Sequence, residues 1–157
     1  MKTILVLLAA ATLSGCATMA APDNPQGVHG MVAVKSAFDA KTTMDRFEAA
    51  VKGKGMNVFG RVNHAAGAER IGKTLRPTEV LIWGSPQGGT PMMLCAQTVG
   101  IDLPQKALVW QDAKGDVYLG WNDPVHLVKN RHETPGCEAV TTGVAAAIAG
   151  FAKEATQ

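Results

Sequence analysis

The sequence has no excess of charge of one sign and little aromatic content. Its 157 residues carry 15 Lys and Arg against 13 Asp and Glu, and only 5% are aromatic. Nucleic-acid-binding domains normally carry a clustered basic face, so this balance argues against nucleic acid as a partner. Seventeen Gly and eight Pro are too few for a collagen-like or low-complexity chain. With 46% hydrophobic residues, the chain can form the packed core of a single domain.

The N-terminal apolar run is too short to span a membrane. Residues 4–13 form a run of ten residues, about half of the ~20 that a transmembrane helix needs. The run follows Lys2 and leads through small residues to Cys16, a pattern that resembles a bacterial lipobox. We interpret residues 1–15 as a lipoprotein signal peptide and Cys16 as the lipidated first residue of the mature chain. Ordinary secretory cleavage near residues 17–20 is the alternative.

Lipidation predicts a location in the cell envelope of a bacterium. Acyl chains on Cys16 would hold the protein on a lipid bilayer, facing the periplasm. Ala17 stands where an inner-membrane retention signal would place Asp, so the outer membrane is the expected location. Residues 16–29 contain two Pro and little charge, which is typical of a flexible tether. The folded domain is then expected over residues 30–157.

The folded part combines strand and helix patterns. Apolar or alternating runs predict strands at residues 31–34, 56–62, 79–83, 106–111 and 116–121. Apolar residues at helical spacing predict helices that end near residue 53 and that cover about residues 140–151. This order predicts a single α+β domain, with helices packed on one face of a mostly antiparallel sheet.

Two sequence patterns predict where helices begin. Thr42 and Asp45 have the spacing of a capping box, which predicts the start of the first helix. Thr90 followed by Pro91 is a typical helix start, with Thr as the cap and Pro in the first turn. Residues 64–76 show no clear pattern and are interpreted as a loop or a short helix.

Several short motifs occur in the order and spacing of a known family. They are Leu75-Arg76-Pro77-Thr78, Trp83-Gly84-Ser85-Pro86 with Gly89-Thr90-Pro91, Gly100-Ile101-Asp102-Leu103-Pro104 and Asn122-Asp123-Pro124. Over about residues 30–153 the chain resembles the bacterial "domain of unknown function 302" family. The resemblance implies a fold similar to that of the TATA-binding protein, with a curved antiparallel sheet, and a homodimer. It implies no activity, because that family has none established.

One segment departs from the family pattern. After Asn-Asp-Pro, the family usually has an Arg-His pair about two residues beyond a Leu. Here three residues separate Leu127 from Arg131-His132. The register of Arg131 and His132 against the family pattern is therefore open by one residue.

The candidate ligand-binding residues lie at predicted strand ends, where loops commonly carry function. Gly88, Gly89 and Thr90 precede the predicted helix start, where free backbone N–H groups favour an anion. A turn that needs glycine is the alternative interpretation. We expect this loop to converge with a second group of candidate residues. That group is Asn122, Asp123, His126 and His132.

The three tryptophans form a separate set of candidates. Trp83, Trp110 and Trp121 all lie on predicted strands. They could line an apolar pocket for a small ligand on the sheet face that helices leave open. Burial in the core is the alternative.

No metal site, cofactor or catalytic residue is predicted. The four His have neither HxxxH nor HExxH spacing, so a metal site would need Asp123, His126 and His132 to assemble in three dimensions. The same three residues are the one candidate acid–base cluster. We therefore favour a non-catalytic module that binds a small ligand or an envelope protein. A dimeric scaffold ranks second and an enzyme third.

Few cysteines are present, and their number limits the possible disulfides. Once Cys16 is lipidated, Cys95 and Cys137 are the two that remain, so an oxidising periplasm permits one intramolecular bond. Cys95 lies in a predicted apolar helix and could instead be a buried free thiol. Both states stay open, and the absence of a CxxC motif argues against a redox role.

Overall fold

A five-stranded antiparallel sheet organises residues 28–157, the part of the chain that the computed structural model describes. The strands are β1 (Met31–Lys35), β2 (Asn57–Asn63), β3 (Thr78–Gly84), β4 (Gln105–Gln111) and β5 (Val117–Asn122). Their order across the sheet is β1-β5-β4-β3-β2, and each neighbouring pair is antiparallel. The predicted α+β class is confirmed. The predicted signal peptide, Cys16 and most of the predicted tether lie outside the described residues.

Helices connect and cover the strands. They are α1 (Ala40–Gly53), α2 (His64–Glu69), α3 (Pro86–Cys95), α4 (Pro124–His126) and α5 (Glu138–Thr156). A 3-10 turn follows α3 at Gln97–Ile101, and a π-helical turn follows α4 at Leu127–Arg131. The long helices α1 and α5 are joined by Arg46, whose guanidinium donates to the carbonyls of Glu154 and Ala155 at the C-terminus of α5. A cation at this position also interacts favourably with the helix dipole.

The first helix begins earlier than the sequence predicted. Asp39 is the N-cap of α1, and its carboxylate accepts a hydrogen bond from the Thr42 backbone N–H at 2.8 Å. Thr42 therefore lies inside the first turn, and the predicted capping box of Thr42 and Asp45 is wrong. An aspartate at the cap satisfies a free N–H group as well as Thr would, and it comes first along the chain.

Helix α3 also begins earlier than predicted. Ser85 is its N-cap, and the Ser85 hydroxyl accepts from the Gly88 N–H at 3.3 Å. Pro86 occupies the first helical position, so Thr90 and Pro91 lie inside the helix and their prediction as its start is wrong. The Ser/Thr-Pro pattern occurs twice within residues 85–91, and the structure uses the earlier copy.

The core lies between the sheet and helices α1 and α5. Alternate residues of the central strands, such as Val109 and Leu119, are buried on this face. Trp83 packs edge-on against Phe47 of α1 and Phe151 of α5, with ring centroids 5.7 and 5.6 Å apart. Aromatic pairs in this geometry add to the stabilisation that their burial provides. Trp83 thereby joins both helices to the sheet.

The opposite sheet face, which we call the open face, is apolar and half-buried. Trp110 stacks on Tyr118 with ring centroids 5.5 Å apart. A Cβ at Gly120 would lie 3.0 Å from Trp110 and would also meet Met31, so glycine lets these side chains lie flat across the strand. Among the tryptophans, Trp110 alone lies on this face. The predicted pocket of three tryptophans on the open face is wrong.

Candidate functional site

An apolar cavity of about 660 Å³ lies where the end of β3 meets helices α3 and α5. This volume is within the range of pockets that bind small molecules. Three elements far apart in sequence form its walls. The apolar lining consists of Met56, Phe59, Trp83, Met92, Met93, Leu103, Pro104, Val144, Ala147, Ile148 and Phe151.

Strand pairing places two polar side chains together in this cavity. Trp83 is the next-to-last residue of β3, and Gln105 is the first residue of β4. The two are direct partners in the antiparallel register, so their side chains project to the same face of the sheet. Ser85 then turns the chain into α3, which covers the strand end.

Both side chains are buried, and each has a nitrogen donor without a hydrogen-bond partner in the described residues. Trp83 is 3% exposed and Gln105 is 7% exposed. Trp83 Nε1 and Gln105 Nε2 have no partner among the described residues. An unsatisfied buried donor costs about 1–3 kcal/mol, and native proteins contain few of them. Two such donors belong to paired residues in the wall of one cavity.

The electrostatic character of the cavity is neutral. Within residues 28–157, no Asp, Glu, Lys, Arg or His side chain lines it. Its polar side chains are uncharged: Asn57, Ser85, Gln87, Thr90 and Gln105. The cavity therefore offers hydrogen bonds and apolar surface, but no ion pair.

The predicted residues Gly88, Gly89 and Thr90 line this cavity, but not as a loop that binds an anion. They lie within α3, and the N–H groups of Gly88 and Gly89 donate to the Ser85 carbonyl at 3.2 and 3.0 Å. Because those N–H groups are already bonded, the anion-binding interpretation is wrong. Gly89 instead permits close packing, since a Cβ there would lie 3.3 Å from Leu103.

Asn122 is the last residue of β5, and Asp123 and His126 follow it in the chain. None of the three lines the cavity. The Asp123 carboxylate accepts from the Val125 N–H at 2.9 Å and caps α4. His126 lies against Gly30. Its ring centroid is 4.4 Å from that of His29. His126 Nδ1 lies 2.9 Å from the Asn130 side-chain amide nitrogen. The structure therefore gives these residues local structural contacts.

His132 belongs to a third location. Its Nε2 lies 2.7 Å from Asp102 Oδ2, and its Nδ1 lies 2.9 Å from Thr98 Oγ1. Arg131 Nε also reaches Asp102, at 3.1 Å. The 3-10 turn after α3 carries Thr98, and Asp102 follows directly, so these contacts hold that turn against the segment before α5. Thr98, Arg131 and His132 line an open surface depression that adjoins the cavity at Gly100.

A π-helical turn contains the segment between Leu127 and Arg131, whose register against the family pattern was left open by the sequence. Across Leu127–Arg131 the backbone makes the wider π turn, closed by the His132 N–H donating to the Leu127 carbonyl at 3.0 Å. A π turn holds one residue more than an α turn. Arg131 and His132, at the end of this turn, both reach Asp102.

The predicted acid–base candidates have separate partners. Asp123 caps a helix, His126 contacts His29, and His132 contacts Asp102. In the described part of the chain, no three His, Cys, Asp or Glu side chains are grouped as a metal site would require.

A disulfide joins Cys95, at the end of α3, to Cys137, immediately before α5. Their Cα atoms are 6.1 Å apart, and the two residues are separated by 42 positions in sequence. The bond lies beside a second group of buried side chains that includes Met92 and Val128. It ties together the two helices that form the cavity walls.

Sequence reasoning missed Gln105. The signal was available, because Gln105, Ala107 and Val109 alternate along one strand, and the other two are apolar residues of the core face. A glutamine at a core-facing position needs a hydrogen-bond partner, which makes it a candidate for ligand contact.

Comparisons with known proteins agree with this fold. The family described as "Domain of unknown function DUF302" matches residues 32–155. The crystal structure of an uncharacterized conserved protein DUF302 from Bacillus stearothermophilus superposes with a TM-score of 0.72 at 19% identity, covering 81% of this chain and 98% of that one. At this identity, the likeness shows a shared fold.

Curated relatives carry a different description. Proteins named "Fluoride-specific ion channel FluC 1" from Brucella suis biovar 1 and from Brucella abortus biovar 1 are each 48% identical over 103 residues. The match covers 66% of this chain but 40% and 38% of those proteins, so the chain spans about two fifths of the relatives it matches. Within residues 28–157, no helix has the length and apolar character needed to cross a membrane.

Proposed function

We propose, from the premise that this chain belongs to the family of domain of unknown function DUF302, that it is an exported, lipid-anchored protein that binds a small, mostly apolar ligand. The observation that carries the binding proposal is the cavity beside Trp83 and Gln105, with its two unpartnered donors. A cavity of this size with a few convergent polar groups is the usual form of a small-molecule site.

Binding without catalysis fits the chemistry of the site. The cavity lining in the described residues has no group that exchanges protons near neutral pH, and no activated nucleophile. His132 lines a neighbouring open depression and not the cavity itself. A module that holds and releases a ligand therefore accounts for the cavity better than an enzyme does.

The proposed location is the periplasmic side of the outer membrane. It is supported by the run of residues 4–13, by Cys16 and by Ala17, as argued from the sequence. The curated relatives are longer proteins named as ion channels, and channels are membrane proteins. A domain of this kind beside a membrane is therefore consistent with an acyl anchor at Cys16.

The anchor is tested by metabolic labelling of the full chain in a Gram-negative host with an alkynyl fatty acid. We expect label on the wild-type chain and none on Cys16→Ser. The labelled chain should sediment with outer membranes. An unlabelled wild-type chain, cut near residues 17–20 and free in the periplasm, would contradict the anchor.

Ligand binding is tested with the neutral fluorescent probe N-phenyl-1-naphthylamine. The exported full-length chain carries Cys16→Ser, so that acyl chains of its own cannot occupy the cavity. Two adjacent exposed alanines of α5, which point about 100° apart around the helix axis, give matched variants: Ala147 lines the cavity and Ala146 does not. We expect saturable binding that Ala147→Phe abolishes and Ala146→Phe preserves. Equal loss in both variants, or no saturable binding, would contradict the proposal.

A second candidate role is a homodimer formed through the open face, for which the occupant is a second copy of this chain. The open face carries an apolar strip that includes Ile82, Leu108 and Trp110, all half-buried in the single chain. Antiparallel sheets commonly stack face to face through such surfaces. We expect light scattering to report twice the chain mass and Leu108→Glu to halve it. A monomer at all concentrations would contradict this role.

A further inference from the structure

Resting on the proposed cavity function, we infer that the ligand is a neutral molecule with an apolar body and a carbonyl or ether oxygen, and that this oxygen accepts hydrogen bonds from Trp83 Nε1 and Gln105 Nε2. Both atoms are nitrogens that carry hydrogen, so the missing partner is an acceptor. This inference names the chemical class of the ligand, which the cavity alone does not.

The strand register supports one shared acceptor. Trp83 and Gln105 are paired residues on neighbouring antiparallel strands, and paired residues have Cβ atoms about 4.5–5.5 Å apart. A carbonyl oxygen has two acceptor positions, so a single oxygen can bond both donors. The two donors therefore form one recognition element.

The rest of the buried polar side chains show that this chain normally satisfies such groups. Ser36 and Thr43 bond to each other at 2.7 Å. Thr141 and Thr156 donate to carbonyls of the preceding turn of α5. Asp112 accepts from two backbone N–H groups of the hairpin turn. Against this background, the two unpartnered nitrogens are a local exception within the described residues, and both belong to residues that line the cavity.

The absence of charge in the lining determines the ligand's charge state. A carboxylate placed in this cavity would lose its hydration and gain no counter-ion from the described residues. A neutral oxygen loses much less hydration and gains two donors. The apolar body would lie against Met92, Ile148 and Phe151, whose side chains are buried at the base of the cavity.

The test uses two neutral probes of similar shape that differ at one position. Cyclohexanone presents a carbonyl oxygen, and methylenecyclohexane presents a CH₂ group in its place. Cyclohexanecarboxylate is the charged comparison. The full-length protein with Cys16→Ser is labelled with ¹⁵N, and its indole N–H signals are assigned by single Trp→Phe variants at positions 83, 110 and 121.

We expect cyclohexanone to bind and to move the Trp83 indole proton signal downfield. Methylenecyclohexane should bind about tenfold more weakly and leave that signal near its original position. Cyclohexanecarboxylate should bind more weakly still at pH 8. Gln105→Met should reduce cyclohexanone affinity severalfold with no effect on methylenecyclohexane. The matched control is Gln111→Met on the same strand, because Gln111 bonds Gly115 far from the cavity.

The outcomes separate the two proposals. Equal affinities for both neutral probes, with no downfield shift at Trp83, would overturn the acceptor inference and leave cavity binding intact. Preferential binding of cyclohexanecarboxylate would overturn neutrality of the ligand. Failure of every probe to perturb cavity residues, together with no binding of N-phenyl-1-naphthylamine, would overturn the proposed function and the inference with it.

Discussion

Polar side chains at the two ends of the helix-covered sheet face differ in whether they have hydrogen-bond partners. At one end, the Arg61 guanidinium is surrounded by the carboxylates of Asp45, Glu48 and Glu79, at N–O distances of 2.7, 3.0 and 2.8 Å. We call these four residues the arginine cluster. At the other end of the same face, the two cavity donors have no partner among the described residues.

We interpret this difference in hydrogen bonding as one between polar groups that stabilise the fold and polar groups that, under the proposed function, bind a ligand. In the arginine cluster every charge has an opposite charge beside it, which is what stability requires of partly buried ions. At the cavity, two donors remain unsatisfied at a cost in free energy. Under the proposed function, the cavity is the end of the sheet that binds a ligand. Variants at each end should therefore respond in opposite directions.

The largest effect is expected at the cavity walls. Replacing both Cys95 and Cys137 by Ala removes the bond between α3 and α5. The closed loop of about 43 residues predicts a loss of about 4 kcal/mol in the free energy of unfolding. Urea denaturation of the double variant measures this, and reduced wild-type protein should unfold at a similar urea concentration. An unchanged midpoint in both samples would show that the disulfide does not hold the walls.

The second-largest effect on the free energy of unfolding is expected at the arginine cluster. Arg61→Met leaves three carboxylates without their shared cation, and we expect a loss of about 1–2 kcal/mol at pH 7, reduced by the partial exposure of the cluster. Arg70→Met, at an exposed position after α2, is the control and should change stability little. Both are measured by urea denaturation. Equal effects at the two arginines would show that the cluster has no special role.

Removing a polar side chain from the cavity should raise the free energy of unfolding, whereas removing Arg61 should lower it. Gln105→Met removes an unsatisfied buried donor while keeping a side chain of similar size, so the protein without ligand should gain about 1 kcal/mol. Gln111→Met, which removes a bonded side chain on the same strand, should be neutral or slightly destabilising. Thermal denaturation of both variants without ligand compares them. A marked loss of stability in Gln105→Met would mean that its amide is satisfied within the protein.

The smallest expected effect is the acid response of the arginine cluster. Hydrogen bonds from Lys41 and then from Arg61 lower the pKa of Asp45, and those from Lys52 and then Arg61 lower the pKa of Glu48. Groups with a lowered folded-state pKa stabilise the protein above their unfolded pKa of about 4, and this contribution is lost as the pH falls through the folded-state pKa.

For exposed or half-exposed groups we expect this contribution to be below about 1 kcal/mol. Urea denaturation at pH 7 and pH 3 should show a smaller pH-dependent loss in Arg61→Met than in the wild type, because the lysine contacts remain. A larger loss in the variant would contradict the assignment of these pKa shifts to Arg61.

The fold was predictable because its signals are local. The apolar runs within residues 79–83 and 106–111 identify strands without reference to the rest of the chain. Helix starts were less predictable, because residues of capping type occur both before α1 and α3 and within these helices, as Thr42 and Thr90 show. Asp39 and Ser85 are the ones that the structure uses.

The cavity was not predictable, because it depends on contacts between distant segments. Trp83 and Gln105 become neighbours only through strand register, and Ile148 reaches them only when α5 packs across the sheet. The sequence predicted glycines and histidines as ligand-binding residues because those residue types commonly bind ligands. In the structure, Gly88 is engaged in α3 and His126 in contacts with its neighbours.

The most direct test is a crystal structure of the full-length protein, carrying Cys16→Ser, grown with cyclohexanone. The account predicts a bound ketone in the cavity whose oxygen lies within about 3.2 Å of both Trp83 Nε1 and Gln105 Nε2. A cavity closed by protein, with both nitrogens bonded to carbonyl groups of the chain itself, would contradict it.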